Sequence, residues 1–317
     1  MAFKISHSKI KTWRRCRRQY YYKYIEKLRK KFKSQPLMRG TLIHDMLELH
    51  IAGKDPWPVL KEAEKKYGKL FKQEQEHYGD ILGDVKKMME GYFEFYKQDP
   101  ITYIKHKGQY TEHYFEVELT PSITLIGYLD SAGRTQDKLV WLVEHKSHKQ
   151  LPEGDLNYSD LQSALYTWIM PKIGLPKPDG VAWNYIKAVA PTEPELLKNG
   201  ELSKRANIAS TWPVYLAAIR KHKLDPRDYK DMKEKLSNRL GDFYARKYLP
   251  VNKAIVEQLI EDTIKTAIEI KRKGHKDHTR NIDKHCTWCD FYNLCQAELR
   301  GADAAFIRKT NFTVQED

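Results

Sequence analysis

Apolar residues change their spacing along this chain, and each change marks an element. Over 5–28, Ile10, Trp13, Tyr20 and Tyr24 form a helical stripe behind Ser6 or Ser8, either of which can cap the start. A basic linker, 29–39, leads to a second helix over 40–49 with Thr41 near its cap. There Leu42, Ile43, Met46 and Leu47 share one broad face, and His44 and Glu48, four apart, share another. Two further helices are predicted at 57–77 and 80–97, parted near Tyr78-Gly79. The period then drops to two. His113, Phe115, Val117 and Leu119 alternate with Tyr114, Glu116 and Glu118, which predicts a strand over 112–120 that Pro121 ends. Two β-rich runs between Gly127 and Lys146 flank a polar turn, Ser131 to Lys138, carrying Gly133, and so predict a hairpin. After a polar stretch, 147–157, a helix runs over 158–168 and stops before Gly174-Leu175-Pro176. Residues 180–189 read as a strand, parallel to an earlier one by the strand–helix–strand order. Residues 190–210 are irregular and polar, and helices are predicted at 211–222, 228–247 and 252–273.

The hairpin carries the first chemistry. Its first run ends on Asp130 and its second on Glu144-His145-Lys146. Side chains alternate along a strand, so Glu144 and Lys146 share a face and His145 takes the other. Hairpin pairing brings Asp130 near both. Two carboxylates with open positions suit Mg²⁺ or Mn²⁺, and a lysine beside them can orient or help deprotonate a bound water. The competing reading is a cross-strand salt bridge on a surface hairpin.

Charge shifts the weight between these readings. Lys and Arg number 56 against 42 Asp and Glu, a net charge of +14, which suggests a polyanionic partner and most often nucleic acid. Arginines and aromatics interleave from Trp13 to Tyr24, so that stretch can either bind phosphates and unpaired bases or bury its rings and solvate its cations. Hydrophobic residues make up 41% and mean hydropathy is -0.72, the profile of a soluble protein. No apolar run approaches the ~20 residues of a membrane helix. The stretch Met1 to His7 lacks the apolar core of a signal peptide, so the expected location is cytoplasmic.

Four cysteines complete the inventory. Cys286, Cys289 and Cys295 are spaced C-x2-C-x5-C, and Cys16 alone remains to join them. In a cytosolic protein this pattern favours metal over a disulfide framework. Four thiolates suit Zn²⁺ or an iron–sulfur cluster, His285 could replace one ligand, and spacing alone leans to zinc.

Taken in order, these residues resemble the RecB-like branch of the PD-(D/E)XK nucleases, and within it the iron–sulfur exonucleases such as the CRISPR-associated ones, the AddB nuclease domain and their phage relatives. The resemblance rests on Cys16 in its Arg/Tyr helix, Gly40-x3-His44, Gly127-x2-Asp130, Glu144-x-Lys146, Gln162-x3-Tyr166 and the closing Cys286, Cys289 and Cys295. It implies an α/β fold: a nuclease core with a central mixed sheet flanked by helices, a helical insertion and a C-terminal iron–sulfur element. It also implies one nuclease domain over 1–317, divided into N-terminal helices (1–55), the insertion (56–100), the catalytic core (110–190), a helical region (191–280) and the cysteine segment (281–300). His44, Asp130, Glu144 and the main-chain carbonyl of His145 would bind the catalytic Mg²⁺ or Mn²⁺. Lys146 would position the attacking water, and Gln162 and Tyr166 would orient Lys146 or contact the DNA backbone. The cysteines would hold a [4Fe-4S] cluster, which reverses the lean to zinc. The implied activity is exonucleolytic cleavage of DNA, single-stranded or with single-stranded ends. The alternatives are a non-catalytic DNA-binding protein with a structural cluster and a zinc-stabilised nucleic-acid-binding module. Cleavage polarity and oligomeric state are not written in these residues.

Overall fold

The chain opens on a short strand, β1 (Phe3–Ser6), inside the segment whose spacing reads as helix. The computed structural model describes residues 2–32, 34–148, 159–205 and 207–315; most of the polar stretch 147–157 therefore lies outside the described residues. Helix α1 (His7–Arg15) starts at Ser6, whose hydroxyl accepts from the Lys9 amide at 3.3 Å. Cys16 is extended, at φ −163°, and splits the single helix expected over 5–28. Helix α2 (Arg17–Tyr20) and a π turn (Tyr21–Ile25) follow. Trp13, Tyr20 and Tyr22 are buried. Arg17 pairs with Glu269 and Asp277, and Arg18 with Glu298. Core packing and ion pairing thus account for these aromatics and these two cations.

Strand β2 (Leu28–Lys30) precedes α3 (Gln35–Ile51), which begins earlier than Thr41 because Pro36 sits in its first turn, where a missing amide costs nothing. The expected pair of helices over 57–97 is three: α4 (Pro58–Tyr67), α5 (Lys72–Tyr78) and α6 (Ile81–Phe95). Then come β3 (Thr102–Tyr103), β4 (Thr111–Thr120), β5 (Ile123–Arg134) and β6 (Val140–His148). The hairpin turn lies later than expected, after Arg134; Gly133 is in the strand opposite Trp141. Helix α7 (Leu161–Ile169), β7 (Gly180–Lys187) and α8 (Trp212–Lys221) fall where the pattern puts them. The helix expected over 228–247 divides into α9 (Lys230–Asn238) and strand β8 (Tyr244–Pro250). Ala, Arg, Lys and Leu in β8 favour helix locally, but the open edge of β7 captures the segment, and tertiary pairing outweighs propensity. Helix α10 (Lys253–Lys273), α11 (Tyr292–Leu299), α12 (Ala304–Asn311) and β9 (Phe312–Val314) close the chain.

The sheet is mixed, in the order β1-β5-β6-β7-β8, with β3 and β4 also on β5. The β6–β7 pair is parallel, as a strand–helix–strand crossover requires. Helices α1, α7 and α10 cover one face through a core that includes Ile10, Leu165, Ile169 and Ile270. Helices α3 and α6 cover the other through Ile43, Met46, Met88 and Tyr92 against Ile186 and Tyr244. Helices on both faces of a mostly buried sheet define an α/β architecture.

The strand β5 has a feature that shapes everything near it. Strand β4 runs along one edge from Ile123 to Ser131. The other edge is shared end to end: β1 pairs with Ile123–Ile126, and β6 with Ser131–Arg134. Between them, over Gly127–Asp130, the sheet forks. Gly127 is required there, because a Cβ would stand 2.8 Å from the Phe115 ring.

Candidate metal centre

Asp130 sits at the fork, one residue beyond the last β5–β6 pair, Ser131 with Val143. Past that pair the backbone partners have diverged, and a side chain takes over: the His145 amide donates to Asp130 Oδ2 at 3.0 Å. The register therefore brings Asp130 beside Glu144, as the hairpin reading anticipates.

Glu144 is fully buried. Its Oε2 accepts from Lys146 Nζ at 2.9 Å and from Gln162 Nε2 at 3.0 Å. Gln162 Oε1 lies 3.4 Å from the same Nζ. Gln162 is presented by α7, whose start is fixed by Asp160 accepting from the Ser163 amide at 2.9 Å. One turn on, Tyr166 sets its ring 5.6 Å from that of Phe115. Burial, then the charge of Asp130, push the Glu144 carboxyl above the carboxylate range. Burial opposes the Lys146 charge, but Glu144 and Asp130 outweigh it and hold the ammonium above the ordinary lysine range.

The remaining Glu144 oxygen, Oε1, is buried without a hydrogen-bond partner. Asp130, whose charge acts on Glu144, belongs to a second group. His44 of α3, Glu112 of β4 and Asp130 each offer a donor atom, all within 4.8 Å of one another. Burial raises the Glu112 pKa to about 7, with Asp130, Glu48 and Asp45 adding to the shift. Glu112 is also held at φ +51°, a left-handed conformation that costs a non-glycine residue on the order of 1–2 kcal/mol. Such an outlier beside a charged cluster points to function rather than packing. Oxygen donors, one imidazole and an unsatisfied buried carboxylate oxygen fit a hard divalent cation such as Mg²⁺ or Mn²⁺.

His145 faces the opposite side of β6 from Glu144 and Lys146. Its ring is buried, stands 6.0 Å from that of His44 at 87°, and meets Asn184 through Nδ1 at 2.8 Å. Burial, then the charges of His44, Arg246 and Lys146, keep it neutral.

The four cysteines are free thiols around a single hollow between α1–α2 and the C-terminal segment. Cys16 enters it from the extended residue between the two helices. Cys286 and Cys289 lie at the 3₁₀ turn Lys284–Trp288, and Cys295 is on α11. Arg18 and Arg280 line the same space, and Arg280 pairs with Glu298. His285 lines it too, with Nδ1 3.1 Å from Asp283 Oδ1. Burial raises the Cys289 thiol to about 11, and Cys16, Asp290 and Cys286 add to the rise.

The structure therefore gathers Asp130, Glu144, Lys146, Gln162 and Tyr166 at one fork, brings His44 to Asp130, and collects all four cysteines elsewhere. Sequence reading passed over Glu112. It lies at the end of an alternating strand, and only its distance to His44 marks it.

Among the described residues no helix is long and apolar enough to cross a membrane. No curated protein matches the chain. The crystal structure of SSO0001 is 13% identical and aligns over 93% of this chain and 86% of its own at a TM-score of 0.33, too loose a likeness to carry an argument. The family model of the PD-(D/E)XK nuclease superfamily matches residues 4–296, a span that takes in the fork, the acidic centre and the four cysteines. On that match the chain belongs to the PD-(D/E)XK nuclease superfamily, enzymes that cut nucleic acid with divalent metal ions such as Mg²⁺ or Mn²⁺.

Proposed function

We propose that this nuclease is a DNA exonuclease acting on single-stranded ends, with its catalytic ion at the β5–β6 fork and a [4Fe-4S] cluster among the cysteines. One observation carries the catalytic part: at the fork, the buried Glu144, a half-buried lysine and a glutamine share hydrogen bonds beside a His44–Glu112–Asp130 cluster. His44, Glu112 and Asp130 would hold the ion, with Glu144 Oε1 as a further donor. The bound ion supplies polarisation of the phosphodiester and acidifies a water. Lys146, held cationic, is a poor base at neutral pH; it serves as a donor that orients the water and offsets charge at the phosphate. Gln162, bridging Glu144 and Lys146, fixes that ammonium, and Tyr166 stands one helical turn on.

The exonucleolytic, single-strand reading rests on the order of the six motifs. The cluster reading rests on the same resemblance, with the four thiols lining one hollow. End-labelled single-stranded and duplex DNA, with Mn²⁺, Mg²⁺ or EDTA, tests the proposal. Metal-dependent shortening from single-stranded ends is expected. Binding without cleavage in every metal would instead favour a non-catalytic DNA-binding protein.

Protons and the ion compete for the same acids, which sets a pH dependence. Glu112 has its folded pKa raised, so between its unfolded value and about 7 the folded state binds the extra proton. Stability from this group falls as pH rises through that window. Glu112→Gln should therefore stabilise the ion-free protein at pH 8 relative to wild type, by roughly 1 kcal/mol or less after solvent screening. It should do nothing at pH 4.5, and should reduce the rise in melting temperature on adding Mn²⁺. Thermal melts at both pH values check this; an equal effect at both would remove the crowded-acid account.

A further inference from the structure

Behind the fork lies a row of polar side chains that the nuclease chemistry does not use. His145 of β6, Asn184 of β7 and Arg246 of β8 are direct cross-strand neighbours. His145 and Asn184 are buried, and the Arg246 side chain is 4% exposed. Asp99, after α6, grips the guanidinium through both oxygens, Nη2 at 3.1 Å from Oδ2, and the Tyr96 ring lies 4.3 Å beneath it. Arg246 Nε donates to Asn184 Oδ1 at 3.3 Å. Asn184 Nδ2 then donates to Tyr92 Oη at 2.9 Å and meets His145 Nδ1 at 2.8 Å.

The donor and acceptor roles in this row follow from one residue. A guanidinium only donates, so the Asn184 oxygen must face Arg246. The Asn184 nitrogen must then face His145, and a nitrogen that donates requires Nδ1 to accept. The ring proton of His145 is thereby confined to Nε2, an atom buried with no hydrogen-bond partner in the protein. The same residue gives its main-chain amide to Asp130. His145 is thus pinned at both ends, by the ring to the row and by the backbone to the acid at the fork.

We infer that Arg246 and Asn184 are positioning residues for the metal centre. Through the hydrogen-bonded row they fix the tautomer and orientation of His145, and through its amide they fix Asp130. The inference rests on the fork being the metal centre. It also assigns the imidazole ligand to His44, because neither His145 ring nitrogen is free to bind an ion: one accepts from Asn184 and the other carries the proton. Partners that orient a metal-site residue from behind matter by about 10–100-fold in metal affinity or activity.

Arg246→Met alone would strand the Asp99 carboxylate, so the test variant is Asp99→Asn with Arg246→Met. With the guanidinium gone, the Asn184 amide is free to turn. Two readouts are taken besides cleavage: the His145 tautomer by long-range ¹H–¹⁵N NMR, and Mn²⁺ affinity by calorimetry. The wild type should show the Nε2–H tautomer. The double variant should stay folded, show Nδ1–H or a mixture, and bind Mn²⁺ about 10–100-fold more weakly. Asn184→Asp, whose oxygens cannot donate, should move the proton to Nδ1 and weaken Mn²⁺ similarly. A wild type with its proton on Nδ1, or a folded double variant with unchanged tautomer and unchanged Mn²⁺ affinity, overturns the inference. Wild type that binds Mn²⁺ and cuts nothing defeats the nuclease reading, while the row still stands or falls on the two binding readouts.

Discussion

Lys146→Ala is expected to remove cleavage, a loss of about 10²–10³-fold or more, while DNA retention changes little. Among the described residues the ammonium is the cation bonded to Glu144: it lies 2.9 Å from Glu144 Oε2 and within reach of Gln162. Alanine leaves that position without a donor for the attacking water or for charge at the phosphate. It also leaves Glu144, fully buried, without its cation. Breaking a buried pair by removing one partner commonly costs about 3–5 kcal/mol. Here the cost should be smaller, since the Glu144 carboxyl already lies above its usual range and can take a proton. A modest drop in melting temperature, partly recovered by Mn²⁺, should therefore accompany the lost activity. Cleavage is followed on end-labelled DNA, folding by circular dichroism and retention by gel shift in EDTA. A folded variant cutting at the wild-type rate would take the chemistry away from this fork.

The centre was legible where its logic is local. Glu144 and Lys146 share a face because strands alternate, and Asp130 comes beside them because hairpin partners are near in sequence. Gln162 and Tyr166 align because they are one helical turn apart. What escaped is non-local. That β1 and β6 divide a single edge of β5, and so open a fork, depends on a parallel pairing across more than a hundred residues. Glu112 escaped because an alternating strand gives no sign of a left-handed residue at its end. Arg246 escaped for a different reason: its strand has helix-forming composition, and only the vacant edge of β7 makes it a strand. The helix over 5–28 failed at Cys16, where bringing a thiol to the hollow outweighs helical continuity. That the four cysteines gather was legible, because C-x2-C-x5-C spacing leaves Cys16 alone to join the other three.

Those cysteines carry the second large effect. On the proposed cluster, Cys286→Ser and Cys16→Ser should each lose iron and lower stability by similar amounts, and the double variant should be no worse than either. Ligands of one group fail together, so their effects do not add. The magnitude follows from chain length. A cross-link from residue 16 to residue 286 closes most of the chain, and closing a loop beyond a hundred residues is worth on the order of 5 kcal/mol. That is a large share of the 5–15 kcal/mol that holds a typical domain. Other ties join the two ends. Glu298 accepts from Tyr22, Arg18, Arg280 and Arg308, β2 pairs with β9 over three residues, and Tyr22 packs on Phe291 in a small core with Leu28, Leu294 and Phe312. One carboxylate shared among three arginines is worth less than three separate pairs, and a five-residue core is marginal alone. The ends should accordingly stay together without the cluster but melt earlier and be cut by protease near Lys284–Trp288. Iron content, visible absorbance and melting temperature of anaerobically purified protein read the outcome. A colourless wild type holding zinc and no iron would reject the cluster, and a Cys16→Ser variant as stable and as iron-rich as wild type would break the link between the ends.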